Sequence, residues 1–185
     1  MVLKTRFHAA ALLLSAWLAA PAAADVWTVD SQASTLGFEV AQGGSTTSGV
    51  FTDWQAQISF DPDAPESAKI TARISPASAT TGNPQFDGTL PGKDWFNVSG
   101  FPQAEFTASG ATRVEGNSYR AAGTLTIKGI SHPVALDFTL EIDGDTAKAT
   151  GTATVDRLAY EIGTAVAADT VGDAVKVTLD LNATR

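Results

Sequence analysis

Apolar and polar residues alternate with a period of two along most of the chain after residue 34. This alternation is typical of strands that bury one face. In the clearest run, residues 134–142, apolar side chains occupy the even positions and Asp137, Thr139 and Glu141 lie opposite. Similar runs, separated by turn sequences rich in Asp, Asn and Gly, span 36–40, 54–60, 68–74, 104–108, 119–127, 147–155 and 175–183. The pattern predicts one all-β domain of about eight antiparallel strands.

Small residues occupy many of the inward-facing positions. A two-sheet sandwich needs large side chains there, whereas a closed barrel of about eight strands can leave room for one small ligand. The strand with Ala147, Ala149, Gly151 and Ala153 is the clearest indication of such a cavity. Alternatively, large side chains opposite fill the space, or alanine is simply frequent in this proteome. The small positions are 56, 68, 72, 104, 108, 121, 123, 147, 149, 151, 153 and 183.

Residues 76–102 break the alternation with several Gly and Pro residues and carry several large apolar side chains. Loops of this length in a compact domain are often functional. We therefore predict a flap over about 76–102 that folds across one end of the barrel, with a short helical turn over 94–97. The flap either completes the core as a plug or lines the opening for a ligand, and the two roles are compatible.

The first 24 residues have the three-part pattern of a secretory signal peptide. Lys4 and Arg6 precede an apolar run over 9–20, and small residues follow up to Ala24. An uncleaved membrane anchor is the alternative, but such an anchor needs about 20 apolar residues. We predict cleavage after Ala24, a domain over 25–185, and a soluble periplasmic protein if the cell has two membranes.

The amino-acid composition excludes several kinds of functional site. The absence of Cys excludes disulfides, thiolate metal sites and Cys nucleophiles, and the net charge of −8 argues against nucleic-acid binding. His132 is the only histidine after residue 24, so a metal site with several His ligands is excluded. The acid pairs Asp61/Asp63 and Asp143/Asp145 lie in turn sequences, where Asp hydrogen-bonds the backbone. We therefore predict no enzyme activity, no metal and no cofactor.

Several segments together resemble a known family. The most specific is ATTGNPQFDGTLPGKDWFNVSGFPQAEF at 79–106, accompanied by WTVD at 27–30, GTLTIKGI at 123–130, and Asp156-Arg157 with VGDAV at 171–175. In order and spacing they resemble the YceI-like family over essentially the whole domain. The resemblance implies an exported lipocalin-like barrel that binds polyisoprenoid chains in an internal cavity. It also implies a possible membrane partner, because some members are associated with or fused to cytochromes of the b561 type.

The chain departs from the family at three places. Ala33-Ser34 stands where the family has a His-Ser pair. Thr89, directly before Leu90, stands where the family often has a His. After Asp156-Arg157, Tyr160-Glu161 replaces an aromatic residue followed by glycine. A head-group contact through either histidine is not expected here, whereas the apolar tunnel is unaffected.

The apolar side chains of the inward faces and of the flap are the candidate ligand-binding residues, with ordinary core packing as the alternative for each. The strand candidates are Phe38, Phe51, Trp54, Phe60, Phe106, Leu125, Ile127, Leu136, Phe138, Leu140 and Val177. The flap candidates are Phe86, Leu90, Trp95 and Phe96. The head-group candidates are Lys93, Asp94, Arg157 and Tyr160, although Arg157 could instead pair with Asp156.

These observations predict a periplasmic protein that binds an isoprenoid lipid, either a polyprenyl compound or an isoprenoid quinone. It would act as a carrier, reservoir or scavenger. One alternative is a non-enzymatic interaction module that docks a membrane b561-type cytochrome through its acidic surface. Another is an enzyme that acts on the quinone head, with turnover sensitive to Asp87, Asp94 or His132.

Overall fold

A computed structural model describes residues 25–185, so the predicted signal peptide lies outside the described residues. The strands are β1 (Val26–Val29), β2 (Thr35–Gln42), β3 (Ser45–Phe51), β4 (Trp54–Ser59), β5 (Lys69–Ile74), β6 (Ala79–Thr80), β7 (Ala104–Ser109), β8 (Thr112–Glu115), β9 (Ser118–Ile127), β10 (Ile130–Asp143), β11 (Thr146–Asp156) and β12 (Val171–Thr184). One short helix, α1 (Pro84–Asp87), and 3-10 turns at Pro65–Ser67, Pro76–Ser78 and Leu158–Tyr160 complete the described elements. None of these helices is long and apolar enough to cross a bilayer.

Eight strands close into an antiparallel barrel, which confirms the barrel expected from the small inward residues and the family resemblance. Their order is β1-β4-β5-β7-β9-β10-β11-β12, and β1 closes the barrel by pairing with β12 through Thr28↔Thr184 and Val29↔Ala183. Farther along β12, Val171–Asp180 pair with β2, which pairs in turn with β3. The two-residue strand β6 joins the flap to β3, and β8 extends the pairing of β9. Closure satisfies most backbone groups that an open sheet would leave at its edges.

Large side chains on one strand face small ones on the next. Phe138 of β10 lies opposite Gly151 of β11, and Leu140 lies opposite Ala149. Side chains of β10 alternate between exposed and half-buried along its whole length. The small residues on β11 therefore leave space inside the barrel beside the bulky side chains of β10.

An aromatic plug closes one end of the barrel. The rings of Phe60, Tyr119 and Phe138 lie within 5.1 to 5.9 Å of one another. Beside them Trp27 is buried, and its indole N–H donates to the Phe60 carbonyl at 3.1 Å. The turns around 61–68, 110–117 and 144–145 lie at this closed end. Aromatic packing of this kind excludes water from the bottom of the barrel.

The flap, residues 76–102, covers the opposite end. Its helix is α1 at Pro84–Asp87, so the predicted helical turn over 94–97 is wrong. Asn83 caps α1 by accepting a hydrogen bond from the Gln85 N–H, and Pro84 occupies the first helical position, both of which favour a helix start. Asn97 instead has a left-handed φ of 48°, which interrupts any helix there.

Candidate functional site

A cavity of about 520 Å³ lies inside the barrel. This volume falls within the range of about 300–1,000 Å³ that is typical of small-molecule sites. Strands around the barrel, the flap and the loop after β11 all contribute to its wall, and nearly all of that wall is apolar. The cavity reaches from the flap to the aromatic plug, where Phe60 and Phe138 line it.

Every ligand-binding residue predicted from the sequence lines this cavity, although ligand contact itself stays a prediction. The strand residues are Phe38, Phe51, Trp54, Phe60, Phe106, Leu125, Ile127, Leu136, Phe138, Leu140 and Val177. The flap residues are Phe86, Leu90, Trp95 and Phe96. The small side chains of Ala147, Ala149, Gly151 and Ala153 line the same space. The structure therefore brings the two sets of sequence signals together in one site.

Aromatic contacts connect the flap to the barrel wall. The ring centroids of Phe96 and Phe51 are 6.1 Å apart, with the rings nearly edge-to-face. Phe51 is in turn 5.4 Å from Phe38. This row of rings joins the flap to β3 and β2, so movement of the flap would open the cavity beside Phe96.

A second contact, which we call the clasp, fixes helix α1. The Asp87 carboxylate accepts hydrogen bonds from the hydroxyl groups of Thr80 (2.6 Å) and Thr81 (2.7 Å), and from the Thr81 N–H (2.7 Å). These bonds, that from the Thr80 hydroxyl above all, hold the pKa of the Asp87 carboxyl below its usual 3.8. The clasp keeps the neighbouring Phe86 and Leu90 against the cavity.

Arg157 holds the loop over 157–171 together. The residue is 2% exposed, and each guanidinium nitrogen donates hydrogen bonds to protein atoms. Nε donates to the Gly172 carbonyl, and Nη1 to those of Ile162 and Gly163. Nη2 donates to the carbonyls of Val166 and Val171 and to the Asp173 carboxylate at 2.9 Å. Arg157 lines the cavity, but its five N–H groups are all engaged by these partners.

The other three head-group candidates lie away from the cavity wall. Lys93 and Asp94 are exposed, and the Asp94 carbonyl accepts a 2.6 Å hydrogen bond from the Gly163 N–H. Tyr160 is buried behind the wall, where its hydroxyl donates to the Leu125 carbonyl at 3.3 Å. Burial raises the pKa of the Tyr160 hydroxyl above its usual 10. None of the three lines the cavity, so a head-group contact through any of them stays a prediction.

Sequence reasoning missed the polar rim of the cavity. Among the described residues, the uncharged polar side chains in the wall are Gln42, Thr47, Thr81, Gln85, Thr89 and Thr170. Gln85, Thr89 and Thr170 are also solvent-exposed, so they mark its mouth. Gln42 follows Phe38 and Val40 on one face of β2, so extending the period-two pattern would have found it.

The lining residues favour burial of an apolar molecule over covalent chemistry. No Asp, Glu, His or Lys lines the cavity within the part of the chain that the structure describes. His132 lies outside the wall, with Nε2 3.0 Å from the Ala159 carbonyl oxygen and its ring edge-on to Tyr160. Over residues 25–185 no cluster of His, Asp and Glu is arranged to hold a metal.

Sequence comparison identifies relatives over most of this barrel. A family model described as a YceI-like domain matches residues 27–183. A UPF0312 protein of Photorhabdus laumondii is 34% identical over 133 residues, which cover 71% of this chain and 68% of the relative. A UPF0312 protein of Pseudomonas syringae is 29% identical over 111 residues, covering 60% of this chain and 55% of the relative.

Solved structures share the fold. BcnA of Burkholderia cenocepacia is 31% identical with a TM-score of 0.80, over 84% of this chain and 99% of that chain. The YCEI protein of Campylobacter jejuni is 26% identical with a TM-score of 0.70, over 76% of this chain and 86% of that chain. A domain of Saccharophagus degradans described as polyisoprenoid-binding is 14% identical with a TM-score of 0.66, over 85% of this chain and 97% of that chain, a likeness of fold alone.

Proposed function

This chain belongs to the YceI-like domain family, and we propose that it binds an isoprenoid lipid in the barrel cavity. The ligand would be a polyprenyl compound or an isoprenoid quinone, and the protein would act as its carrier, reservoir or scavenger rather than as a catalyst. The observation that carries this proposal is the 520 Å³ cavity with an apolar wall, closed at one end by aromatic rings. The polyisoprenoid-binding description of the Saccharophagus degradans domain, which shares the fold, supports it.

Burial of the hydrocarbon tail supplies the binding energy. Each methylene moved from water into an apolar site contributes about 0.8 kcal/mol. A ten-carbon tail would therefore contribute roughly 8 kcal/mol, which the cost of association, about 4–15 kcal/mol, would largely offset. We therefore expect tight binding only for chains of several prenyl units.

Native mass spectrometry of the protein purified from its own host tests the proposal. We expect a co-purifying lipid of isoprenoid mass, and binding of added long-chain quinone after the lipid is stripped. Repeated absence of both would overturn the proposed function.

Filling the cavity provides a matched test. Ala149→Phe with Ala153→Phe places two rings in the cavity from the inward face of β11. Thr150→Phe with Thr152→Phe places the same two rings on the exposed face of that strand. The first variant should lose lipid binding and the second should keep it, with both folded by circular dichroism. Equal binding by the two variants would contradict a role for the cavity.

We also propose that the protein is exported to the periplasm, on the strength of the signal-peptide pattern over 1–24. N-terminal sequencing of the protein from a periplasmic extract should begin at Asp25. Docking to a membrane b561-type cytochrome stays a prediction from the family resemblance and the acidic composition. The cavity-filled variant distinguishes that role from lipid binding, because surface docking would survive Ala149→Phe and Ala153→Phe.

A further inference from the structure

We propose that the mouth of the cavity selects lipids with an uncharged, oxygen-bearing head group and discriminates against phosphorylated ones. This inference rests on the proposed function and adds the chemical class of the ligand head. Its basis is the arrangement of polar and charged groups around the cavity.

The uncharged polar residues of the wall gather at one end. Gln42 and Thr47 flank the turn between β2 and β3, and the Gly43 N–H of that turn donates to the Thr170 carbonyl at 3.1 Å. Thr81, Gln85 and Thr89 belong to the flap at the same end. The opposite end is lined by apolar side chains such as Trp27 and Phe60. A bound lipid would thus place its head at the flap and its tail towards the plug.

The mouth offers neutral hydrogen-bonding groups. The Thr47 hydroxyl donates to the Gln42 amide oxygen at 2.6 Å, which orients that amide. The Thr89 hydroxyl donates to the Gln85 carbonyl at 2.9 Å and keeps its lone pairs as acceptors. Amide and hydroxyl groups match the carbonyl oxygens of a quinone or the hydroxyl of an alcohol.

No cation in the described wall is free to bind a phosphate. Arg157 is the one charged lining residue over 25–185, and its five N–H groups all donate to protein atoms. At the same end, outside the wall, lie the exposed residue Lys93 and the carboxylates of Asp87, Asp94 and Asp169, of which Asp87 belongs to the clasp. Charge-assisted bonds from Arg or Lys are the strong contacts that protein side chains offer a phosphate. A phosphate seated in this wall would lose water without gaining a cation from it, and the neighbouring carboxylates outnumber Lys93.

A matched ligand pair tests the discrimination. Farnesol and farnesyl phosphate carry the same tail and differ only in the head. Their affinities for the lipid-stripped protein would be measured by isothermal titration calorimetry, below the concentration at which either forms micelles. We expect farnesol to bind at least about tenfold more tightly than farnesyl phosphate.

A charge placed at the mouth should reverse this preference. Gln85→Lys introduces an ammonium group at a residue that lines the mouth and leaves the backbone N–H that Asn83 caps in place. Gln57→Lys adds the same charge on the exposed outer face of β4. We expect Gln85→Lys to raise the affinity for farnesyl phosphate about tenfold relative to farnesol, and Gln57→Lys to leave the ratio unchanged.

The outcomes separate this inference from the proposed function. Equal binding of the two ligands by the native protein, or tighter binding of the phosphate, would overturn the head-group selection and leave lipid binding intact. An equal shift of the ratio in both lysine variants would also overturn it, because overall charge would then set the preference. Failure of both ligands and of long-chain quinone to bind would overturn the proposed function itself.

Discussion

The Thr80 hydroxyl donates a 2.6 Å hydrogen bond to the Asp87 carboxylate, and this contact ties helix α1 to the short strand β6. Strand β6 pairs with β3, so the bond anchors the flap to the barrel. Phe86, next to Asp87, lines the cavity. The clasp therefore links the Phe86 side chain at the cavity to the strands of the wall.

Acid should release the clasp. Because the pKa of Asp87 in the folded protein lies below its usual 3.8, ionised Asp87 stabilises the closed flap. That contribution is fully present above pH 3.8 and is lost as the pH falls through the lowered pKa of the folded state. The protection of the Gly88 and Leu90 amides from hydrogen exchange, corrected for the intrinsic pH dependence of exchange, should fall in that acidic range.

Two variants test whether the hydrogen bonds of the clasp lower the pKa of Asp87 and hold the flap in place. Thr80→Val removes the hydroxyl with the largest effect, so the pKa of Asp87, followed by NMR titration, should rise towards 3.8. Asp87→Ala should speed lipid dissociation at neutral pH, whereas Asp63→Ala, an exposed position at the closed end, should not. An unchanged dissociation rate in Asp87→Ala would show that the clasp does not govern the flap.

Arg157→Lys should weaken the loop over 157–171. Lysine has three donors and no planar fork, so it cannot reproduce the hydrogen bonds of Arg157 to the Ile162 carbonyl within the loop and to the Val171 and Gly172 carbonyls at its end. We expect the free energy of unfolding to fall by about 2–4 kcal/mol, measured by urea denaturation. Arg120→Lys, which changes the exposed ion pair with Asp137, should lower the free energy of unfolding far less, because solvent screens that pair. Equal losses in the two variants would contradict the structural role of Arg157.

The sequence predicts the strands well because period-two alternation is a local signal that each strand carries by itself. The sequence predicts the cavity only in part, because some small inward residues line the cavity and others make room for a large neighbouring side chain. Ala149 and Gly151 line the cavity, as expected, whereas Gly123 and Ala121 lie outside its wall. At Gly123 an added Cβ would lie 2.5 Å from the Phe106 ring, so this glycine accommodates an aromatic side chain. At this position a large side chain therefore fills the space beside a small one, which is the alternative to a cavity.

The close packing of the Phe106 ring against Gly123 predicts that Gly123→Ala destabilises the protein. The added methyl group would also lie 2.5 Å from the Thr107 carbonyl oxygen, so the pairing of β7 with β9 must shift. We expect the free energy of unfolding to fall by about 1–3 kcal/mol in urea denaturation. Thr124→Ala, on the exposed face of the same strand, should change it by less than about 0.5 kcal/mol. A neutral Gly123→Ala would mean that Phe106 is free to move.

Long-range contacts were beyond the sequence pattern. The break between β1 and β2 lets both pair with β12, and no local signal shows that two short strands share one partner. The role of Arg157 was missed for a similar reason: its hydrogen-bond partners extend to Asp173, and they exist only once the loop has folded. A basic residue after a strand looks the same in sequence whether it binds a ligand or its own backbone.

Opening the aromatic plug should change which lipids fit. Phe138→Ala removes a ring that both lines the cavity and packs against Phe60 and Tyr119. The cavity would then extend towards the closed end, so we expect the preferred chain to lengthen in competition binding with polyprenols of graded length. The free energy of unfolding of Phe138→Ala should fall by about 3 kcal/mol. Phe101→Ala removes a half-buried ring that does not line the cavity, and it should leave chain-length preference unchanged. If Phe138→Ala bound the same lengths as the native protein, the plug would not set the depth of the site.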